Sequence, residues 1–322
     1  MILPAGYSSR PAAWDDLDAV AALRNACDRA DVGFEDPVRE HLEEDWRTPT
    51  FDLASSTSMV HAADGTLVAY AQVSGLNPGL SLDGFGFVHP DHRRRGLGAA
   101  LVDWTEERAA AVGTPKLHNA VNSADGSANT LLLRRGYAHV RTFWHMQIDL
   151  GSPVSTTPPE GIAIRPYRHD ADARAVFDAI EEAFQDHWGY EPYPFDLHAE
   201  QMGRTDPRLA SLAIKDEEVV GAALGRLVDG AGWIDVVAVR RAWRGRGIAK
   251  ALLLRSFEGF AELGVGSVLL NVDSENPTGA TRLYEKAGMR ERRSFHLFEK
   301  HLRGTLRADI SLALTRRGRQ VR

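Results

Sequence analysis

A single cysteine, Cys27, in 322 residues excludes an intrachain disulfide, so packing alone must hold the fold. No stretch approaches the roughly 20 consecutive apolar residues of a membrane span, and no membrane association is expected. The opening Met1-Ile2-Leu3-Pro4-Ala5-Gly6 is too short and too interrupted for a signal-peptide core. A cytoplasmic protein is therefore expected. Strong charge of one sign is also missing: 38 Lys and Arg stand against 44 Asp and Glu, a formal net charge of −6. With an isoelectric point near 6.1, that balance argues against general nucleic-acid binding. Neither phosphate-binding signature of the nucleotide folds occurs, since no Gly-x-x-x-x-Gly-Lys-(Ser/Thr) is found and no Gly-x-Gly run gains its third small residue. What is present, 43% apolar and 25% charged residues, suits an ordinary globular enzyme.

The informative feature is a repeat. Arg93-Arg94-Arg95-Gly96-Leu97-Gly98 recurs as Arg244-Gly245-Arg246-Gly247-Ile248-Ala249, each copy after an apolar strand-like run and before a helix-like one. Small residues at such a junction let backbone N–H groups approach an anion, and the positive helix end adds attraction. The copies stand 151 residues apart, about one domain length by the usual prior of roughly 100–200 residues. Arg10-Pro11 and Arg165-Pro166, and Gly136-Tyr137 and Gly288-Met289, keep nearly the same offset. The chain reads as a duplication, divided near residue 155 into domains 1–155 and 156–322. A stretch rich in Pro, Ser and Thr over 151–160 serves as linker, and an arginine-rich tail at 304–322 receives no chemistry.

Periodicity predicts helices over 14–27, 98–112 and 127–135 in the first half, with strands over 58–61, 67–73, 80–88 and 116–121 and further strands after Gly136. In the second half the expected helices are 171–184, 248–263 and 278–287. The expected strands there are 162–165, 209–214, 219–227, 232–239, 267–272 and 295–300. The fold class is α+β, with mixed topology in each half.

The Arg-x-x-Gly-x-(Gly/Ala) turn resembles motif A of the GNAT superfamily, acetyl-CoA-dependent N-acyltransferases in which this turn binds the coenzyme A pyrophosphate. Across both halves the chain resembles tandem GNAT proteins of the actinobacterial kind. That resemblance implies two tandem GNAT domains, each a mostly antiparallel twisted sheet flanked by helices. It further implies a bulge that splays the strand before the turn, whose free backbone pairs with the pantetheine arm. By that mapping the cofactor residues are Val237, Ala238, Val239, Arg244, Gly245, Arg246, Gly247, Ile248 and Ala249 in the second half. In the first half they are Val88, Arg93, Arg94, Gly96 and Gly98.

Downstream the second half carries Asn271-Val272-Asp273-Ser274-Glu275-Asn276-Pro277-Thr278-Gly279-Ala280-Thr281-Arg282-Leu283-Tyr284-Glu285-Lys286-Ala287-Gly288. Asn276 suits a cap for a helix starting at Pro277, and Gly288 a left-handed residue beyond its end. The resemblance implies that Asn276 contacts the cofactor or orders the site, and that Tyr284 is the general acid. A phenol of ordinary pKa about 10 can protonate a departing thiolate of pKa about 8.5. Asp235 is the candidate base, on Val239's face if the strand alternation is unbroken. Relatives often carry the base one pleat earlier, where Trp233 stands here. His187, Trp188, Tyr190 and Glu191 lie on a loop where acceptors enter in the superfamily, and His187 and Glu191 are alternative bases.

The first half has Leu132 or Leu133 at the position of Tyr284, Ala124 or Asp125 at Asn276, and Leu82 and Gly84 at Trp233 and Asp235. It is expected to keep the fold and to lack acetyl transfer. The functional expectation is direct transfer of acetyl from acetyl-CoA to a primary amine in the second domain, with no metal. The competing reading is a non-catalytic acyl-CoA-binding scaffold.

Overall fold

A computed structural model describes residues 1–302 except Pro37, Leu76, 152–156, Tyr193 and Arg204, and describes the backbone alone at Glu200, Gln201 and Gly203. The centre of the expected linker and the whole arginine-rich tail lie outside the described residues. The chain divides into two compact units, Met1–Thr142 with Ser294–Arg322, and Phe143–Arg293. No helix among the described residues is long and apolar enough to cross a membrane.

The chain runs β1 (Tyr7–Arg10), α1 (Leu17–Val32), α2 (Arg39–Arg47), α3 (Leu53–Ser56), β2 (Thr57–Ala62), β3 (Leu67–Ser74), β4 (Leu82–Val88), α4 (Leu97–Val112), β5 (Lys116–Asn122), α5 (Gly126–Arg134) and β6 (Ala138–Asp149). It continues through β7 (Ala163–Pro166), α6 (His169–Phe184), α7 (Phe195–Gly203), β8 (Ala210–Lys215), β9 (Glu218–Val228), β10 (Ala231–Val239), α8 (Ile248–Glu262), β11 (Ser267–Asp273), α9 (Ala280–Lys286) and β12 (Arg290–His301). One long strand, β6, follows Gly136 where more than one was expected, and β12 is the single closing strand expected in the second half. Periodicity did not reveal α2, because Leu42 and Trp46 are its only buried residues, nor α7.

In the first unit the strand order is β1-β2-β3-β4-β5-β12, and only β4 and β5 run parallel. In the second it is β7-β8-β9-β10-β11-β6, with β10 and β11 parallel. The closing strands are traded. Phe143–Asp149 of β6 pairs with β11 from Asp273↔Phe143 to Ser267↔Asp149, while Phe295–His301 of β12 pairs with β5. A single cut near residue 155 therefore does not reproduce the compact units, since each sheet ends on a strand encoded in the other half.

The repeated Arg-Pro pair has a local cause. Arg10 donates to the Pro11 carbonyl and both oxygens of Asp16, and Arg165 does the same with Pro166 and Asp172. Each arginine thus latches the first strand of its copy to the start of the helical segment that follows it.

In the second unit α8 covers one sheet face, where Phe257 and Phe260 pack with Ile234, Leu253 and Val268. Full burial of such side chains contributes about 1.5–3 kcal/mol each. The other face meets α6, through Val176, Ala179 and Ile180 against Leu212, Ala222, Leu224 and Ala238.

Candidate active site

In the second half, β10 pairs with β11 only at Gly232↔Val268, Trp233↔Leu269 and Ile234↔Leu270, then diverges from it. Residues 236–239 consequently have a backbone edge with no strand beside it, the splay expected from the resemblance. The register with β9 shifts between Ile234 and Val236, so Asp235 is the extra residue of a bulge. The shift changes the faces. Val237 and Val239 pack towards Ile248 and Leu252 of α8, whereas Val236 and Ala238 pack towards α6. Asp235 shares neither the pleat nor the face of Val239, because the bulge breaks the alternation on which that expectation depended. Its carboxylate instead meets Arg226 of β9, with Nε at 3.0 and 3.1 Å from the two oxygens. Burial raises its pKa, an effect that Arg226 opposes.

The bulge also corrects the alignment of the halves. In the first half, pairing of β4 with β5 likewise stops after Leu82↔Leu117, Asp83↔His118 and Gly84↔Asn119, but the register with β3 is unbroken. With β5 and β11 superposed, Asp83 matches Trp233, and Asp235 has no counterpart. The first-half strand therefore places an exposed carboxylate, Asp83, at the position of Trp233. Close approach explains Gly84, where a Cβ would lie 2.6 Å from Asn119 Oδ1.

Both arginine turns have the backbone geometry that an anion needs. Gly245 and Gly247 adopt φ of 75° and 81°, and Arg94 and Gly96 adopt 64° and 88°. Among the described residues, no acceptor meets the N–H groups of Gly245, Arg246, Gly247 and Ile248, or of Arg94, Arg95, Gly96 and Leu97. These amides lead into the N-termini of α8 and α4, where the helix dipole favours negative charge. The leading arginines have another task. Arg244 donates to the carbonyls of Val239 and Ala183 and to Asp186, tying the turn to the end of α6. Arg93 donates to the Val88 carbonyl and, through both terminal nitrogens, to Asp31. Asp31 and Asp186 carried no signal in the sequence beyond being acidic. Arg246 lies over the Trp243 ring at 4.7 Å, with its side chain exposed beside the turn.

Tyr284 is buried on α9, in the cluster that includes Ile234 and Leu270 at the vertex of the splay. Its hydroxyl has no hydrogen-bond partner among the described residues, and burial pushes the phenol up to about 12. The backbone fixes its counterpart. Met289 N bonds Tyr284 O as Tyr137 N bonds Leu132 O, so Leu132 is the matching residue, not Leu133. The same comparison at the preceding turn matches Asp125 with Asn276, each amide bonded to the residue three before it.

Asn276 does not cap a helix at Pro277. The helix starts at Ala280 behind Gly279, at φ 75°, while Asn276 Oδ1 accepts from the amide and hydroxyl of Thr278. Gly288 does take the left-handed conformation, at φ 94°. Asn276 Nδ2 reaches His187 Nε2 at 3.5 Å, bringing together two of the expected site residues. The His187 ring lies 4.4 Å from the Phe184 ring at a tilt of 49°, and burial and Arg244 lower its pKa. A neutral imidazole can accept from the amide. Tyr190 turns away to donate to Glu181 at 2.5 Å, and Trp188 and Glu191 are half-buried on the same loop.

In the first half the corresponding V encloses a cavity of about 620 Å³. Phe85, Val88, Arg94, Gly98, Asn119 and Leu131 line it. Asn119 is buried at its wall.

The description that matches this chain is the acetyltransferase (GNAT) family, over residues 18–137 and again over 173–289. The chain belongs to the GNAT family of acetyltransferases. Like other members it draws acetyl from acetyl-CoA, and the free turn amides and unpaired strand edges fit that donor. A mycothiol acetyltransferase from Kineococcus radiotolerans is 31% identical over 88% of this chain and 94% of its own length. Among solved structures, a GCN5-related N-acetyltransferase from Sphaerobacter thermophilus is 36% identical, with a TM-score of 0.84, covering 94% of this chain and 98% of that one. A tandem GNAT protein from the clavulanic acid biosynthesis pathway, at 17% identity, TM-score 0.73 and coverages of 92% and 98%, shares the fold.

Proposed function

We propose that this acetyltransferase moves acetyl directly from acetyl-CoA to a primary amine at the site built on β10, α8 and α9. The observation that carries this reading is Tyr284, a protonated phenol without a hydrogen-bond partner among the described residues, clustered with the residues at the vertex of the splay. The turn amides of residues 245–248 hold the pyrophosphate, and the unpaired edge over 236–239 holds the pantetheine arm. Asn276 orders the loop bearing His187. Asp235, whose pKa is raised by burial, takes the amine proton, directly or through water, and Tyr284 returns one to the thiolate.

The acceptor is a small-molecule amine that enters past His187, Trp188, Tyr190 and Glu191. The name of the relatives, mycothiol acetyltransferase, points to a compound related to mycothiol. Coenzyme A release from acetyl-CoA, measured over small amines including mycothiol-related ones, tests this. Tyr284→Phe should depress kcat far more than acetyl-CoA affinity. Acetyl-CoA binding without release for any amine would instead favour a non-catalytic acyl-CoA-binding scaffold.

A further inference from the structure

Asp83, His118 and Glu299 form one hydrogen-bonded cluster in the first unit. His118 Nδ1 lies 3.2 Å from Asp83 Oδ1, and its Nε2 lies 3.0 Å from Glu299 Oε2. The cluster has a definite place in the fold. Pairing of β4 with β5 ends at Gly84↔Asn119, so Asp83↔His118 is the last pair but one before the strands part. The cavity beyond is lined by Phe85 on β4 and Asn119 on β5. Asp83↔His118 thus stands one pair behind the point from which that cavity opens. In the second half the matching positions are Trp233 and Leu269, which carry no titratable group.

The chemistry around the cluster suits an ammonium. Asp83 is open to solvent, with 66% of its side chain exposed, while His118 is 9% and Glu299 17% exposed. Asp45 of α2, held by Gln72 Nε2, adds a third carboxyl, whose pKa desolvation and Asp83 raise while Gln72 and Arg24 lower it. Burial lowers the His118 pKa, and hydrogen bonds to the two carboxylates more than offset it, so the net shift is upward. Among the described residues no group of three His, Cys, Asp or Glu side chains is arranged to hold a metal ion.

We propose that the first half is a second acyl-transfer centre, in which Asp83 and His118, anchored by Glu299, handle the protons of a primary ammonium acceptor. The ammonium gives one proton to solvent, and the amine nitrogen forms a C–N bond with the thioester carbonyl. The C–S bond breaks, the Asp83–His118 pair takes the second nitrogen proton, and the pair supplies one proton to the leaving thiolate. The products are amide and thiol, and the pair is restored. No phenol is required, in keeping with Leu132 at that position. This centre uses the same donor but none of the residues assigned to the second-half site.

The test is coenzyme A release by the full chain from acetyl-CoA with a fixed panel of tyramine, glucosamine, spermidine and lysine. Tyr284→Phe should leave release above the buffer blank, and adding His118→Asn should cut that remainder at least tenfold. In the wild-type background His118→Asn should remove the same absolute rate, because two independent centres add. Asp83→Asn, at an exposed position that packing does not need, should reproduce the loss with an unchanged melting curve. The proposal is overturned if the Tyr284→Phe chain falls to the blank, if His118→Asn removes less than tenfold, or if it lowers both backgrounds by one common factor. It also fails if Asp83→Asn does not reproduce the loss. A silent wild type would instead sink both this centre and the second-half site, whereas loss of the remainder alone leaves the second-half site standing.

Discussion

Asp235 and Arg226 face each other across β10 and β9, with the carboxylate presented by the bulged residue itself at 3.0 Å from the guanidinium Nε. The contact places opposing influences on one acid. Burial favours the protonated form and the arginine favours the carboxylate, with burial the stronger.

A base must be ionised to accept a proton, so kcat/KM in the second half should fall as pH drops through the Asp235 pKa. Arg226→Met removes the opposing cation and should move that acidic limb to higher pH. Asp235→Asn should abolish the limb and lower kcat/KM by about 10²–10⁴, the usual range for losing a general base. A pH–rate series on the three proteins checks this, and a limb left in place by both changes would remove Asp235 as the base.

For Tyr284 the expected signature is the opposite, an invariance. Its phenol is pushed up to about 12, so no descending limb from it should occur near the ordinary phenol pKa of about 10. Tyr284→Phe should cut the second-half kcat by about 10²–10⁴ with acetyl-CoA affinity preserved. Because the hydroxyl has no hydrogen-bond partner among the described residues, stability should change little. Saturation kinetics with a urea melt separates this outcome from a merely structural role.

The duplication, the two turns and the amphipathic helices were legible because each writes a local rule into the chain. A left-handed glycine before a helix and an apolar stripe on α8 need no tertiary knowledge. The strand exchange was illegible for the converse reason. β6 and β12 are both long strands that close a sheet beyond a parallel pair, and their periodicity does not state which partner each takes. The bulge hid in the same way. It adds one residue to β10 and turns Asp83 into the match of Trp233, a shift visible only when pairing with both neighbouring strands is known. The carboxylates that Arg93 and Arg244 meet were illegible too, since Asp31 and Asp186 lie far from them in sequence.

The turn glycines make a prediction that separates binding from chemistry. At Gly247, φ is 81° and a Cβ would lie 3.7 Å from Pro159 Cγ, so space permits alanine while the backbone conformation does not favour it. Gly247→Ala should cost about 1 kcal/mol of stability. It should also weaken acetyl-CoA binding as the amides of residues 245–248 tilt. Calorimetric titration with acetyl-CoA should register the weakening while the second-half kcat at saturation stays close to wild type. An unchanged affinity would mean that this turn does not hold the pyrophosphate.

The Arg165–Asp172 latch should make stability depend on acid. Arg165 donates to both oxygens of Asp172 at 2.7 Å, and the Arg168 amide adds a third bond at 2.8 Å. These bonds favour the carboxylate, Arg165 most of all, and hold its pKa below the ordinary aspartate value despite the opposing effect of burial. An aspartate whose pKa is lower folded than unfolded releases its proton more readily in the native state. Its stabilising contribution is therefore complete above the unfolded value of about 3.9 and is lost as pH falls through the lower native value. Asp172→Asn should be less stable than wild type at neutral pH, and the gap should narrow as the medium is acidified through that window. Urea denaturation at successive pH values measures the gap. A difference that stayed constant with pH would assign the effect to lost hydrogen bonding alone and remove the ionised latch.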